Sequence, residues 1–329
     1  MSEQLISLTH KDFETDQEVR WCPGCGDYAI LKSVRKTLAK IGRSPDEVVF
    51  VSGIGCAARF PYYVETYGFH SIHGRAPSLA TGIKLANPDL DVWVVGGDGD
   101  FLAIGGNHLM HVLRRNVDLN LLLLNNAIYG LTKGQYSPTS TPGTRSPSTP
   151  GGSFDTPVNA AALALGAGGS FVARTADTLQ DHLPEMLARA HAFKGAALVE
   201  ILQNCIVYND APFGDLTSKK GRADNTVIVR HGEPMVFGTD RDKGLVYESD
   251  RGGMRVTGDI SEASVHDETN WALAATLARL DDPALPTPLG VFYCAPRDDY
   301  TTVLDAHVPY APLTRDDLQE VLYAGSWKF

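Results

Sequence analysis

The sequence has no apolar run approaching the 18 or so residues that mark a bilayer-spanning helix. Its opening segment, MSEQLISLTHKDFETDQEVR, is polar and has no apolar stretch of the kind a secretion signal needs, so a cytoplasmic location is expected. Basic charge is also scarce. With 29 Lys and Arg against 39 Asp and Glu, the formal charge is −10, which argues against a nucleic acid or an anionic membrane as partner. Cysteine is limited to five in 329 residues. In a reducing compartment so few thiols speak for metal binding over a disulfide framework. No internal repeat is visible. The length and the 43% hydrophobic content suit one large or two modest globular domains.

Residues 1–26 read as an irregular arm carrying Cys22-Pro23-Gly24-Cys25. Beyond it, helices are predicted over Tyr28–Ile41, Pro77–Ala86, 103–115, Val158–Leu165 and Leu179–His191. Strands are predicted over Val48–Val51, 92–95, 120–124, Phe171–Arg174 and Ala197–Leu202. This alternation predicts an α/β fold, a doubly wound parallel sheet with helices on both faces. Residues 136–153, rich in Ser, Thr, Pro and Gly, read as a long loop with a binding role such as docking on a partner subunit. The division expected is a cofactor domain over 1–210 and a C-terminal extension over 211–329, with helices near 270–280 and Thr314–Tyr323. Cys294, inside the apolar run Gly290–Ala295, reads as core.

Gly97-Asp98-Gly99 follows one predicted strand and Asn125-Asn126 follows the next. Mg²⁺ takes hard oxygen ligands and often shares them with phosphates. Asp98 offers a carboxylate, Asn126 an amide oxygen and Ile128 a backbone carbonyl, while Gly97 and Gly99 let the backbone approach a diphosphate. The stretch GDGDFLAIGGNHLMHVLRRNVDLNLLLLNN resembles the thiamine diphosphate fingerprint, which implies that Asp98, Asn126 and Ile128 hold Mg²⁺.

Cys56, Asp98, Asn126 and Cys205 each lie just past a predicted strand, so a parallel sheet puts them on one edge, where ligands bind in such folds. An N-terminal arm folded over that edge adds Cys22 and Cys25. Four thiolates suit Zn²⁺ or a [4Fe–4S] cluster. One close pair plus two isolated cysteines favours the cluster.

WCPGCGDYAIL at 21–31, SGIGCAARFPYY at 52–63, HGRAPSLATGIKLANPDL at 73–90, the thiamine fingerprint, YGLTKGQYSPT at 129–139 and the late Cys205 together resemble the β subunit of the 2-oxoacid:ferredoxin oxidoreductases, over about residues 15–240. The resemblance implies one [4Fe–4S] cluster on Cys22, Cys25, Cys56 and Cys205. It also implies a thiamine diphosphate site lined by Ile54, Gly55, Cys56, Ala57, His73, Gly99, Asp100, Gly130 and Leu131. The implied reaction is oxidative decarboxylation of a 2-oxoacid with coenzyme A, electrons passing to ferredoxin. An α subunit, in an αβ or (αβ)₂ assembly, would supply the carboxylate that activates thiamine.

His73 is expected to position or protonate the reacting group. Arg59, Arg75 and Lys133 are candidates for substrate carboxylates or coenzyme A phosphates. Lys133, just past the metal loop, favours 2-oxoglutarate, giving succinyl-CoA, over pyruvate. The competing readings are a pyruvate enzyme, a non-redox thiamine decarboxylase with structural zinc, and a metal-binding scaffold with a decayed thiamine site.

Overall fold

The computed structural model describes residues 8–308 and 314–325; the remainder of the expected arm, residues 1–7, lies outside them. Among the described residues eleven strands run in chain order: β1 Val48–Ser52, β2 Tyr67–His70, β3 Asp91–Gly97, β4 Leu119–Asn125, β5 Phe171–Ala176, β6 Ala196–Leu202, β7 Thr226–Val229, β8 Val236–Phe237, β9 Lys243–Glu248, β10 Gly253–Thr257 and β11 Thr287–Cys294. The α-helices are α1 Asp27–Ile41, α2 Phe60–Tyr63, α3 Ala76–Ala86, α4 Gly106–Arg115, α5 Ala160–Gly166, α6 His182–Ala192, α7 Arg222–Asn225, α8 Trp271–Ala278, α9 Tyr300–His307 and α10 Arg315–Tyr323. None of them is long and apolar enough to cross a membrane.

Eight strands form the main sheet in the order β2-β1-β3-β4-β6-β5-β11-β7, and β8, β9 and β10 form a small antiparallel one. The main sheet is parallel except where β11 runs antiparallel to β5. Alternation along β4 shows why helices cover both faces. Leu121 and Leu123 pack with residues of α3, α4 and α5, whereas Leu122 and Leu124 pack with α1 and α6. Successive side chains of a strand point to opposite faces, so a strand that is apolar throughout has to be covered twice.

Two departures from the expected elements matter for the site. The helix predicted over 103–115 is α4 preceded by a π-helical turn, Gly99–Ile104, that widens the chain around Asp100. The region beyond 210 is continuous with the main sheet, since β7 and β11 both join it. Its short strands were hard to read because a buried β11 shows an apolar run without alternation. Cys294 ends β11, partly buried against the core.

Candidate functional site

The pairings β1–β3, β3–β4 and β4–β6 are all parallel, so the exits of these four strands share one edge. Asp98 directly follows β3 and Asn126 directly follows β4, while Cys56 and Cys205 lie in the turns after β1 and β6. The arm crosses this edge. Trp21 Nε1 donates to Cys56 O at 2.8 Å, and Gly26 N donates to Asn204 O at 3.2 Å.

Asp98 is buried beneath the start of the 136–153 loop, which turns inward here. Its Oδ2 accepts from the Ser137 hydroxyl and from Thr139 Oγ1, the latter at 2.6 Å. Thr139 Oγ1 also lies 2.8 Å from Asn125 Oδ1, so its single proton serves one acceptor at a time. A proton on Asp98 reconciles the two contacts, and burial pushes this carboxyl upward, in the direction of the neutral form. The chain of contacts continues inward from Asn125 Nδ2 to Glu200 Oε1 at 2.8 Å, and from Arg174 Nε to Glu200 Oε2 at 2.7 Å. Asp98 thus ends a polar row that crosses the sheet from β5.

Beside it lies a cavity of about 120 Å³. Ile54, Gly55, Cys56, Ala57, His73, Gly97, Gly99, Asp100, Asn126, Ile128, Gly130 and Leu131 line it, with Leu124, Tyr129 and Thr132. The structure therefore gathers the expected cofactor residues around one space. Asp98 is buried and lies outside this lining, whereas Asn126 and Ile128 belong to it.

Asp100 organises the opposite wall. Its Oδ1 accepts from Ile54 N at 3.1 Å, from Gly74 N at 2.8 Å and from His73 Nδ1. A carboxylate oxygen can only accept here, so His73 Nδ1 carries the proton and Nε2 is left as the basic nitrogen. Gly53 is required for this arrangement, because a Cβ there would meet Asp100 Oδ2 at 2.1 Å.

Cys22, Cys25, Cys56 and Cys205 all line a second cavity of about 180 Å³, and none forms a disulfide. Burial raises the Cys25 thiol, and it pushes the Cys56 thiol up to about 12, so both keep their protons at neutral pH until a metal displaces them. Among the described residues no three His, Cys, Asp or Glu side chains converge tightly enough to hold a single ion.

Asp27, the first residue of α1, accepts from Cys25 Sγ at 3.3 Å and is fully buried, which raises its pKa from 3.8 to about 6. A raised carboxyl makes a stability contribution that is complete below the unfolded value and lost as pH rises through the folded one. The metal-free protein is therefore expected to lose about 3 kcal/mol from this group between roughly pH 4 and 6. Asp27→Asn should flatten that slope in thermal unfolding scans across the same range, and an unchanged slope would refute the assignment.

The candidate cations do not all converge. Arg59 lines the cysteine cavity and a third cavity of about 450 Å³, its Nε donating to Tyr63 OH at 2.8 Å. Lys133 stands exposed in a turn with φ of 76°, outside the lining of these three cavities. Arg75 is exposed and donates to the His73 and Ile104 carbonyls at 3.5 and 3.4 Å. Sequence reasoning missed Arg20, which lines the same two cavities as Arg59, and also Ser137, Thr139, Asp27 and Gln203. Ser137 and Thr139 sit in a polar loop whose composition carries no sign of turning inward.

Residues 53–201 match the thiamine pyrophosphate enzyme family's C-terminal TPP binding domain. The chain is 53% identical over 295 residues to the 2-oxoglutarate oxidoreductase subunit KorB of Mycobacterium tuberculosis, across 88% of this chain and 79% of that one. It is 47% identical over 198 residues to the β subunit of 2-oxoacid:ferredoxin oxidoreductase 1 of Aeropyrum pernix, across 60% of this chain and 62% of that one. Its fold matches a solved 2-oxoglutarate:ferredoxin oxidoreductase from Magnetococcus marinus, which has 2-oxoglutarate, coenzyme A and succinyl-CoA bound. That match has a TM-score of 0.76, 30% identity and 98% coverage of both chains. The relatives are named as oxidoreductase subunits, the thiamine-binding domain match lies in this chain, and the chain belongs to the β-subunit family of the 2-oxoacid:ferredoxin oxidoreductases.

Proposed function

We propose that this chain, with an α subunit in an αβ or (αβ)₂ assembly, converts 2-oxoglutarate and coenzyme A to succinyl-CoA and CO₂ in the cytoplasm. The two electrons released pass singly through a [4Fe–4S] cluster to two ferredoxins, and one proton is released. The observation that carries this reading is a shared wall: Cys56, Asn126, Gly130 and Leu131 line both the cofactor cavity and the cysteine cavity. A decarboxylase that merely protonated its intermediate would have no use for such adjacency.

The donor sets fit the groups. Asp98, Asn126 and Ile128 offer the hard oxygens Mg²⁺ prefers, and Cys22, Cys25, Cys56 and Cys205 offer four thiolates for the cluster. Thiamine diphosphate supplies the electron sink for loss of CO₂. His73, held by Asp100, presents Nε2 as a proton acceptor or donor at the cavity it lines. Arg59, with Nε already engaged by Tyr63, has its two terminal nitrogens for a substrate carboxylate in the third cavity. Lys133 serves as a second positive group outside that cavity. Ile54, Leu131, Ile72 and Ile104 are exposed by 38%, 51%, 74% and 51% around His73 and the cofactor cavity. An apolar rim of this kind suits the α subunit, which supplies the activating carboxylate.

The purified complex is expected to reduce ferredoxin or methyl viologen only when 2-oxoglutarate and coenzyme A are both present; reduction with pyruvate in place of 2-oxoglutarate would reverse the substrate assignment. A colourless protein carrying zinc would remove the electron path altogether. Arg59→Ala should raise the KM for 2-oxoglutarate by tenfold or more, in keeping with loss of a charge-assisted hydrogen bond worth about 1.5–3 kcal/mol. An unchanged KM would exclude Arg59 from carboxylate binding.

A further inference from the structure

Gln203 is 1% exposed at the exit of β6. Its backbone N–H donates to Asn125 O at 2.8 Å, which fixes the residue beside the end of β4. The side-chain amide then reaches two sites at once. Oε1 accepts from Asn126 Nδ2 at 3.4 Å, and Nε2 donates to Cys25 Sγ at 3.6 Å. The amide's orientation follows from its partners. Asn126 Oδ1 already accepts from Ile128 N at 3.2 Å, so Asn126 presents its N–H to Gln203, and the nitrogen of Gln203 faces the sulfur. Gly26 makes room for this side chain, since a Cβ there would meet Gln203 Cγ at 2.7 Å.

We propose that Gln203 is a positioning residue that couples the two metal sites. Through Asn126 it orients the amide oxygen offered to Mg²⁺, and through Cys25 it donates an N–H to a cluster thiolate. The proposal rests on the cofactor assignments made under Proposed function. Partners outside the ligand set orient metal ligands and typically change affinity 10- to 100-fold when removed. Hydrogen bonds to cluster sulfurs set the reduction potential, because they stabilise the more negatively charged reduced state. One buried amide thus acts on thiamine loading and on electron acceptance together.

Gln203→Met keeps the volume and removes both bonds. In the αβ complex it should weaken Mg²⁺-dependent thiamine diphosphate binding about tenfold, as read by calorimetry. It should also move the cluster midpoint to a more negative value in an EPR-monitored redox titration. A packing role would lower the Tm and leave both readings in place. A folded variant with full iron content in which either reading is unchanged overturns the coupling. In the unmutated complex labelled with ¹⁵N in glutamine side chains alone, pulsed EPR of the reduced cluster should detect a ¹⁵N coupling. Its absence overturns the proposal even where the variant does not fold. An unmutated complex that carries no cluster shows instead that the cofactor assignment has failed.

Discussion

Asp98→Ala is expected to weaken binding of thiamine diphosphate and Mg²⁺ by about 100-fold or more and to abolish 2-oxoacid turnover, while the cluster's visible absorption remains. The separation follows from where the residue sits. Asp98 directly follows β3 and lines neither cavity, whereas the cysteine cavity is lined by the arm, by the exits of β1 and β6, and by Asn126, Gly130 and Leu131 past β4. In the metal-free protein the substitution should be mild. Ser137 loses an acceptor and Thr139 a partner, at about 1 kcal/mol for each bond, and a carboxyl that burial disfavours as an anion is removed. Burial raises this carboxyl and a bound cation would favour its ionised form, so Mg²⁺ affinity is expected to strengthen as pH rises. Calorimetry at several pH values reads both effects. An Asp98→Ala complex that loads thiamine as the parent does would move the metal to other ligands.

The strand exits were legible because they combine two independent signals, an apolar run and then a residue that cannot belong to it. Asp98 after β3, Asn126 after β4 and Cys205 after β6 each stand out against their strands, and parallel topology places them together. The residues that tie the site were not legible. Thr139 bridges Asp98 and Asn125 from a polar loop, and Gln203 bridges Asn126 and Cys25 from across β6, contacts between residues 14 to 178 positions apart. Such partners are set by where loops return in three dimensions, which no local period or spacing encodes. The strands beyond 210 were obscured for another reason: β7 is only four residues long, and β11 is apolar without alternation. Lys133 shows the limit of sequence proximity: it follows Ile128 by five positions, yet its exposed side chain lines none of the three cavities.

Cys205→Ala should remove the cluster and ferredoxin reduction while leaving thiamine diphosphate bound, and Cys56→Ala should damage both. Cys205 lines the cysteine cavity alone, with its sulfur 3.4 Å from the Cβ position of Gly130. Cys56 lines both cavities, and its carbonyl also anchors Trp21 of the arm. Losing one of four thiolates leaves a cluster corner open, and electron transfer should fall by orders of magnitude, since turnover then has no one-electron acceptor inside the protein. Thiamine affinity in Cys205→Ala should stay within about twofold of the parent, because no hydrogen bond to Asp98, Asn126 or His73 involves the Cys205 side chain. Iron content, visible absorption and calorimetric thiamine binding, measured on both variants, test the division. If Cys205→Ala lost thiamine as fully as Cys56→Ala, the wall between the cavities would be a folding element and the electron path would have to leave the cofactor by another face.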